Sequence, residues 1–289
     1  MVTLDRVLSQ REVEFPDQIG ELLMLSSQAR SMALQNTDFV SSLAKGLAVI
    51  RHLVEVKSPQ TLSDVADALD MPRATARRLL LTLEELGYAE QIGRQFSLTP
   101  QVMRLGYGYF AANPFSVHID TELKRVSTET GHTSFASIYD KGEITIVARQ
   151  VGQILESSST IGTTWPAYCT SMGRVFLSHF SDEEVKTILE ETERQQFTPS
   201  TLVDTTKILT EVRKVRKTGY SFVENETTVG MRAIAVPVTN QRGEMIASID
   251  VMMIAKSESR KDSIDKALPA LKAAAQRLGD IAADAKPVG

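Results

Sequence analysis

The chain has 289 residues, a length that fits about two domains, and its 42% hydrophobic and 24% charged residues are the balance of a globular protein. A net charge of −4 argues against non-specific coating of nucleic acid, although a short basic surface can still bind DNA. One cysteine excludes an internal disulfide and favours a reducing compartment. Since the sequence shows no long apolar run and no secretory signal, we expect a cytoplasmic protein without membrane contact.

Residues 1–41 form an N-terminal extension that carries six acidic and three basic side chains. Chain termini are poorly ordered unless other contacts hold them, so we expect a mobile or loosely docked segment. Dense helix signals begin at Ser42. The predicted buried face of this first helix is an apolar stripe made of Leu43, Leu47, Ile50, Leu53 and Val54.

The rest of the segment 42–100 carries the signals of two more helices and a hairpin. Thr61 and Asp64 form a capping-box pattern that begins the second helix. The third helix runs from Pro72 to Leu86, and strands at 88–92 and 95–98 follow it. Three short helices and a hairpin predict a winged helix-turn-helix domain.

The third helix separates its apolar and basic side chains. At about 100° per residue, its apolar arc comprises Ala76, Leu79, Leu80, Leu83 and Leu86. Three arginines and no acid lie within residues 72–83, on the opposite side, where arginine can bind guanine or clamp phosphates. The candidate DNA contacts, including the hairpin tip, are Ser42, Lys45, Arg73, Ala74, Thr75, Arg77, Arg78 and Arg94. The alternative is a solvated basic face on a module that binds another protein.

Residues 101–117 predict a linker helix, and residues 118–289 predict a mixed domain. An antiparallel hairpin, 132–139 with 143–150, follows a helix at 118–130. Further strands are predicted near 154–159, 220–224, 232–238 and 245–253, and further helices near 171–180, 182–193, 205–218 and 262–284. The predicted fold class is therefore α+β, with an antiparallel sheet flanked by helices behind the winged helix-turn-helix domain.

Several motifs together carry a family resemblance. They are Ser42–Ile50, Thr61–Ala66, Arg77–Leu83, the run Pro166-Ala-Tyr-Cys-Thr-Ser-Met-Gly-Arg174, Gly230-Met-Arg232 and Ile234–Pro237. In order and spacing they resemble IclR-type transcriptional regulators over roughly residues 40–285. Phe96–Pro100 and Leu105-Gly-Tyr107 resemble the subgroup that controls catabolism of hydroxybenzoates, protocatechuate and related acids of the β-ketoadipate pathway. The resemblance implies a homodimer or homotetramer that binds a double-stranded DNA operator and a small-molecule effector.

The resemblance also places an effector pocket over one sheet face, closed by the loop 162–173. The candidate effector-binding residues are Arg149, Thr164, Tyr168, Ser171, Met172, Gly173, Ala233, Asp250 and Met252. The helix that begins at Ser171 offers amides, free up to Gly173, to a carboxylate. Arg149, expected on the same strand face as Val147, can bind a carboxylate or form a structural salt bridge. Asp250 replaces the family's usual serine or asparagine, and it can accept a hydrogen bond from a ring hydroxyl or repel an acid.

These features together favour an aromatic carboxylic acid as effector, and the alternative is an aliphatic keto acid or another small metabolite. Enzyme signals are weak. Cys169 has no histidine near it in sequence, and His52, His118, His132 and His179 lack metal-ligand spacing. Because the sequence contains no P-loop, dinucleotide-binding glycine motif or nucleophile elbow, we expect no enzyme, no metal and no cofactor.

Overall fold

The computed structural model describes residues 39–56, 58–111, 116–152, 159–256 and 258–282. The predicted N-terminal extension, apart from its last three residues, lies outside the described residues, and so does nearly all of the strand predicted at 154–159. The chain divides into two compact units, Met1–Gly108 and Tyr109–Gly289. The cut falls within the segment that the sequence assigns to the linker.

The first unit is a winged helix-turn-helix domain, as predicted. Its helices are α1 (Ser41–Val56), α2 (Leu62–Ala68) and α3 (Arg73–Glu85), and its strands are β1 (Gln60–Thr61), β2 (Ala89–Ile92) and β3 (Gln95–Leu98). The strands form an antiparallel sheet in the order β1-β3-β2. A 3-10 turn at Pro100–Val102 leads to α4 (Met103–Ala111).

Local chemistry explains the tight connection between the helices. The Thr61 side chain accepts a hydrogen bond from the Asp64 amide and the Asp64 carboxylate accepts one from the Thr61 amide, so the predicted capping box is confirmed. Asp70 turns the chain with φ 43°, a left-handed conformation that aspartate tolerates better than most residues. The helices then close over a small core that includes Val49, Leu80 and Phe96.

The predicted buried face of α1 is confirmed at Leu53 and at the half-buried Ile50, and it is wrong at its other three residues. Leu43, Leu47 and Val54 are 63%, 50% and 54% exposed, whereas Val49 and Leu53 are buried. The helix therefore has two apolar stripes, an exposed one with Leu43, Leu47 and Val54 and a buried one with Val49 and Leu53. The buried stripe packs on α3 and β3. Leu86, placed in the apolar arc of α3, is also exposed, at 59%. It lies beyond the last helical residue, where the chain turns at Gly87 with φ 77°.

The second unit is a six-stranded antiparallel sheet between two layers of helices. Its strands are β4 (Thr133–Asp140), β5 (Glu143–Gln150), β6 (Thr164–Pro166), β7 (Ser221–Glu224), β8 (Met231–Thr239) and β9 (Met245–Ile254). Its helices are α5 (Ser116–Thr130), α6 (Ser171–Leu177), α7 (Asp182–Glu191), α8 (Thr205–Thr218) and α9 (Arg260–Ile281). The strand order is β6-β5-β4-β9-β8-β7.

Each sheet face has its own apolar core. Helices α5 and α9 cover one face, where Leu123 and Leu271 pack against Ile249 and Val251 of β9. Helices α6, α7 and α8 cover the other, where Phe176, Leu189 and Val212 pack with Phe135 of β4. We name the first the α9 face and the second the α6 face. The predicted α+β class with flanking helices is confirmed.

A β-bulge in β5 corrects a prediction about Arg149. Ala136 of β4 pairs with Ala148, but the next residue, Ser137, pairs with Ile146, so Val147 is the extra residue in β5. Val147 therefore packs in the core of the α9 face. Arg149, which pairs with Phe135, points to the α6 face. The two side chains lie on opposite faces because the bulge interrupts strict alternation.

The two shortest strands, β1 and β6, are not predicted from the sequence, because two or three residues are too few to show an alternating pattern. Within the described part of the chain, no helix has both the length and the hydropathy needed to cross a bilayer.

Candidate functional site

The outer side of α3 presents basic side chains to solvent. Arg73, Ala74, Arg77 and Arg78 are exposed and Thr75 is half-buried, while Ala76 is fully buried on the opposite side. The other predicted DNA contacts, Ser42, Lys45 and Arg94, are exposed as well. The first unit therefore has the exposed basic helix and the exposed wing tip that its fold needs to contact DNA.

The α6 face of the second unit carries a row of side chains across four strands. Arg149 pairs in register with Phe135, Phe135 with Asp250, and Asp250 with Ala235. Register partners project to the same side of a sheet, so all four face α6. Two opposite charges therefore flank one aromatic ring.

Asp250 is fully buried within this row. Its Oδ2 accepts a hydrogen bond of 3.1 Å from the Ser171 hydroxyl at the start of α6, and its Oδ1 has no hydrogen-bond partner among the described residues. Burial raises the pKa of this carboxyl to about 7, and the Ser171 bond opposes that rise only in part. Oδ1 of this buried carboxyl is therefore available to form a hydrogen bond with a ligand.

Two more polar atoms on the same face are buried without a partner in the described part of the chain. One is Nε of Arg149, whose guanidinium carbon lies 5.9 Å from the centroid of the Phe135 ring. The other is the hydroxyl of Ser137, two residues along β4, whose side chain is completely buried. Buried polar groups are nearly always hydrogen-bonded, so these three atoms make the α6 face the candidate ligand site of the second unit.

The predicted site residues gather unevenly around this row. Ser171, Met172, Ala233 and Met252 lie on the α6 face: Met172 and Met252 pack in its core, and Ala233 pairs in register with Met252. Thr164 does not join them. It is exposed and pairs with Thr145, on the side opposite to Trp165, which packs in the α6-face core.

Tyr168 and Gly173 have structural partners of their own. Tyr168 is buried and its hydroxyl donates to the Gln195 carbonyl at 2.6 Å. The amide of Gly173 donates to the Thr170 side chain at 3.0 Å, so the predicted free amide there is wrong. A Cβ at Gly173 would lie 2.3 Å from Cα of Ala167. Close packing of α6 on the preceding turn therefore requires glycine at this position.

A buried ion pair fixes α6. Both Nη atoms of Arg174 donate to the two carboxylate oxygens of Glu226 at 2.7 Å, and its Nε donates to the Tyr168 carbonyl at 3.0 Å. Glu226 also accepts a bond from the Leu202 amide at 3.0 Å. Arg174 is 1% and Glu226 6% exposed. Because this pair ties α6 to two loops, it holds Ser171 within reach of Asp250.

The remaining candidate for reactive chemistry is the cysteine. Cys169 is buried, and burial raises the pKa of its thiol to about 12, so it stays protonated at neutral pH and is a poor nucleophile. Within the described ranges, no three histidine, cysteine or acidic side chains lie together as a metal site would require.

Two family models cover most of the chain. The IclR helix-turn-helix domain matches residues 42–93, and the bacterial transcriptional regulator IclR C-terminal domain matches residues 116–279. The chain belongs to the IclR family of transcriptional regulators.

Relatives within this family are similar over most of their length. The Pca regulon regulatory protein of Pseudomonas putida is 33% identical over 243 residues, which are 83% of this chain and 84% of the relative. The crystal structure of a transcriptional regulator from Rhodococcus sp. RHA1 has 36% identity and a TM-score of 0.75, covering 86% of this chain and 100% of its own.

A second solved structure contains a ligand. It is a double mutant of the inducer-binding domain of the Acinetobacter transcription factor PobR, in complex with 3-hydroxybenzoic acid. It is 29% identical to this chain with a TM-score of 0.53, and covers 56% of this chain and 95% of its own. The subgroup resemblance in the sequence therefore agrees with the relatives that the chain matches.

The buried ion pair can be tested by stability. We expect Glu226→Gln to lower the free energy of unfolding by about 3–5 kcal/mol, because Arg174 then stays buried without its counter-charge. Chemical denaturation measures this loss. The control is Asp182→Asn, which removes a half-buried surface carboxylate paired with Arg213 and Arg216, and it should cost less. Equal losses for the two variants would contradict the assignment.

The pKa of Asp250 predicts how stability varies with pH. An aspartate of ordinary pKa 3.8 that titrates at about 7 when folded holds a proton that the unfolded chain has released. The contribution of the Asp250 carboxyl to the free energy of unfolding is therefore complete below about pH 4, and it is lost as the pH rises through 7. We expect Asp250→Asn to be more stable than the wild type at pH 8 and to lose that advantage towards pH 4.

Thermal unfolding at several pH values measures this difference. Asp182→Asn is the matched control, because arginine partners lower the pKa of Asp182 to about 2 and its contribution is lost only in acid. A pH-independent difference between Asp250→Asn and wild type would show that Asp250 does not titrate in this range.

Proposed function

We propose that this regulator binds its operator through α3 and senses a small aromatic carboxylic acid on the α6 face. The observation that carries the proposal is a pair of buried atoms on either side of Phe135, Nε of Arg149 and Oδ1 of Asp250, which have no hydrogen-bond partner among the described residues. A carboxylate would bind Arg149, a ring would lie against Phe135 and Met252, and a donor at the far end would reach Asp250.

The spacing suits such a molecule. Neighbouring strands lie about 4.8 Å apart, so the backbones of β5 and β9, which flank β4, are about 10 Å apart. Both charged side chains project from these positions to the α6 face, so a substituted benzoate can span the distance between them. An aliphatic keto acid would satisfy Arg149 but would leave the apolar and acceptor groups without partners.

The relatives support the same class of ligand. The Pca regulon and PobR proteins are regulators of this family, and the PobR domain is in complex with a hydroxybenzoic acid. We also propose a regulatory rather than catalytic role in the cytoplasm, since the relatives are regulators and the Cys169 thiol stays protonated.

The same reasoning supports a homo-oligomer. Leu43, Leu47 and Val54 lie at positions i, i+4 and i+11 on the exposed side of α1. Ile50, at i+7, is half-buried at the edge of this stripe and packs against the core of the first unit. This spacing is that of a helix seam that packs on another helix. A second copy would cover the stripe and place two α3 helices on an operator with inverted half-sites.

Oligomerisation through α1 gives a measurable outcome. We expect Leu47→Lys to shift the assembly towards smaller species, since it places a charge in the seam. Analytical ultracentrifugation of the full chain measures the mass. The control is Arg51→Lys, which keeps the charge of another exposed residue of α1. A wild-type protein of monomeric mass would contradict the proposal.

DNA contact by α3 predicts a loss of affinity. Arg77→Ala should cost about 1–3 kcal/mol of specific operator affinity, the range for one good base contact, and should leave folding intact because the side chain is exposed. A mobility-shift titration on the operator DNA measures it. Lys186→Ala, an exposed change in the other unit, should have no effect. If Arg77→Ala binds the operator with unchanged affinity, the assignment of Arg77 as a DNA contact is contradicted.

The effector proposal predicts binding that depends on Arg149. We expect 4-hydroxybenzoate to bind the full chain and Arg149→Gln to weaken this binding by about 10-fold or more, the equivalent of one charge-assisted hydrogen bond. Calorimetry measures both affinities, and Arg125→Gln, which changes an arginine of α5, is the control. Binding of aliphatic keto acids but of no aromatic acid would leave the family assignment intact and remove the aromatic effector.

A further inference from the structure

Two buried serines lie side by side on the α6 face, and only one of them has a hydrogen-bond partner in the part of the chain that the structure describes. Ser137 of β4 pairs in register with Ser248 of β9, and both are completely buried. The Ser248 hydroxyl donates to the Val236 carbonyl at 3.2 Å. The Ser137 hydroxyl has no hydrogen-bond partner among the described residues. Since such a group is costly to leave unpaired, Ser137 has a role that packing does not explain.

The position of Ser137 relates it to Asp250. Asp250 pairs with Phe135, so Ser137 is its diagonal neighbour, and the Cβ atoms of such neighbours lie about 7 Å apart. A ring that rests on Phe135 with its carboxylate at Arg149 points its para position towards Asp250. The adjacent meta position then points along β4 towards Ser137. The two unpartnered oxygens therefore face neighbouring positions of one ring.

We propose that Ser137 and Asp250 form a two-point subsite for adjacent hydroxyl groups on the effector ring. The para hydroxyl donates to Oδ1 of Asp250, and the meta hydroxyl exchanges a hydrogen bond with the Ser137 hydroxyl. This inference rests on the proposed aromatic-acid site and adds a selectivity to it. It also gives Ser137, which carries no distinctive signal in the sequence, the role of a specificity residue.

The test compares three probes on the full chain by calorimetry: 3,4-dihydroxybenzoate, 4-hydroxybenzoate and benzoate. Wild-type protein should bind the dihydroxy acid about 10-fold more tightly than 4-hydroxybenzoate, the gain from one well-made hydrogen bond. Ser137→Ala should abolish this ratio and leave the affinity for 4-hydroxybenzoate within about 2-fold. The matched control is Ser248→Ala, which removes a buried hydroxyl at the paired position and should keep the ratio.

Thermal unfolding without ligand separates a binding role from a structural one. Ser137→Ala removes an unpaired group and should not lower the melting temperature, whereas Ser248→Ala breaks a hydrogen bond and should lower it. Equal wild-type affinity for the two hydroxylated acids overturns the subsite while the aromatic site stands. Equal weakening of all three acids by Ser137→Ala also overturns it. Absence of binding by all three acids removes the proposed effector and the subsite together.

Discussion

The effector unit depends on a charge pair that water does not reach. Burying Arg174 and Glu226 is costly, and the cost is offset only because each charge is fully hydrogen-bonded, including contacts to the Tyr168 carbonyl and the Leu202 amide. The pair therefore fixes the relative positions of the turn before α6, α6 itself and the loop between β7 and β8. The contact between Ser171 and Asp250 follows from that arrangement, and so does the shape of the α6 face.

The two faces of the sheet differ in what they bury. The α9 face has a large apolar core, and it also buries Ser134 and Arg232, which donate to the Leu123 carbonyl and to the Ser263 hydroxyl. Its helix approaches so closely that a Cβ at Gly279 would lie 2.2 Å from the Thr239 carbonyl oxygen. The α6 face buries an aspartate, two serines and part of an arginine among its apolar side chains. The α6 face therefore carries buried polar groups to which a ligand can bind.

Sequence patterns predict the elements well and their finer geometry less well. Helix and strand positions agree within a few residues because periodicity and capping are local properties. The choice of the buried side of α1 is not a local property. Leu47 and Leu53 are equally apolar, and only the packing of α1 on α3 determines that Leu53 is buried and Leu47 exposed. The bulge at Val147 interrupts alternation without a marker in the sequence. Ser137 becomes informative only when its neighbours are known to leave its hydroxyl unpaired.

The buried thiol has a practical consequence for spectroscopy. The chain contains one cysteine, and Cys169 is enclosed and protonated at neutral pH, so thiol-reactive dyes have little access to it. A cysteine introduced at an exposed wing residue that is not a predicted DNA contact, for example Glu90→Cys, would be labelled selectively in a chain with all its predicted contacts intact. Fluorescence from that position would then report operator engagement in real time, without first removing the native cysteine.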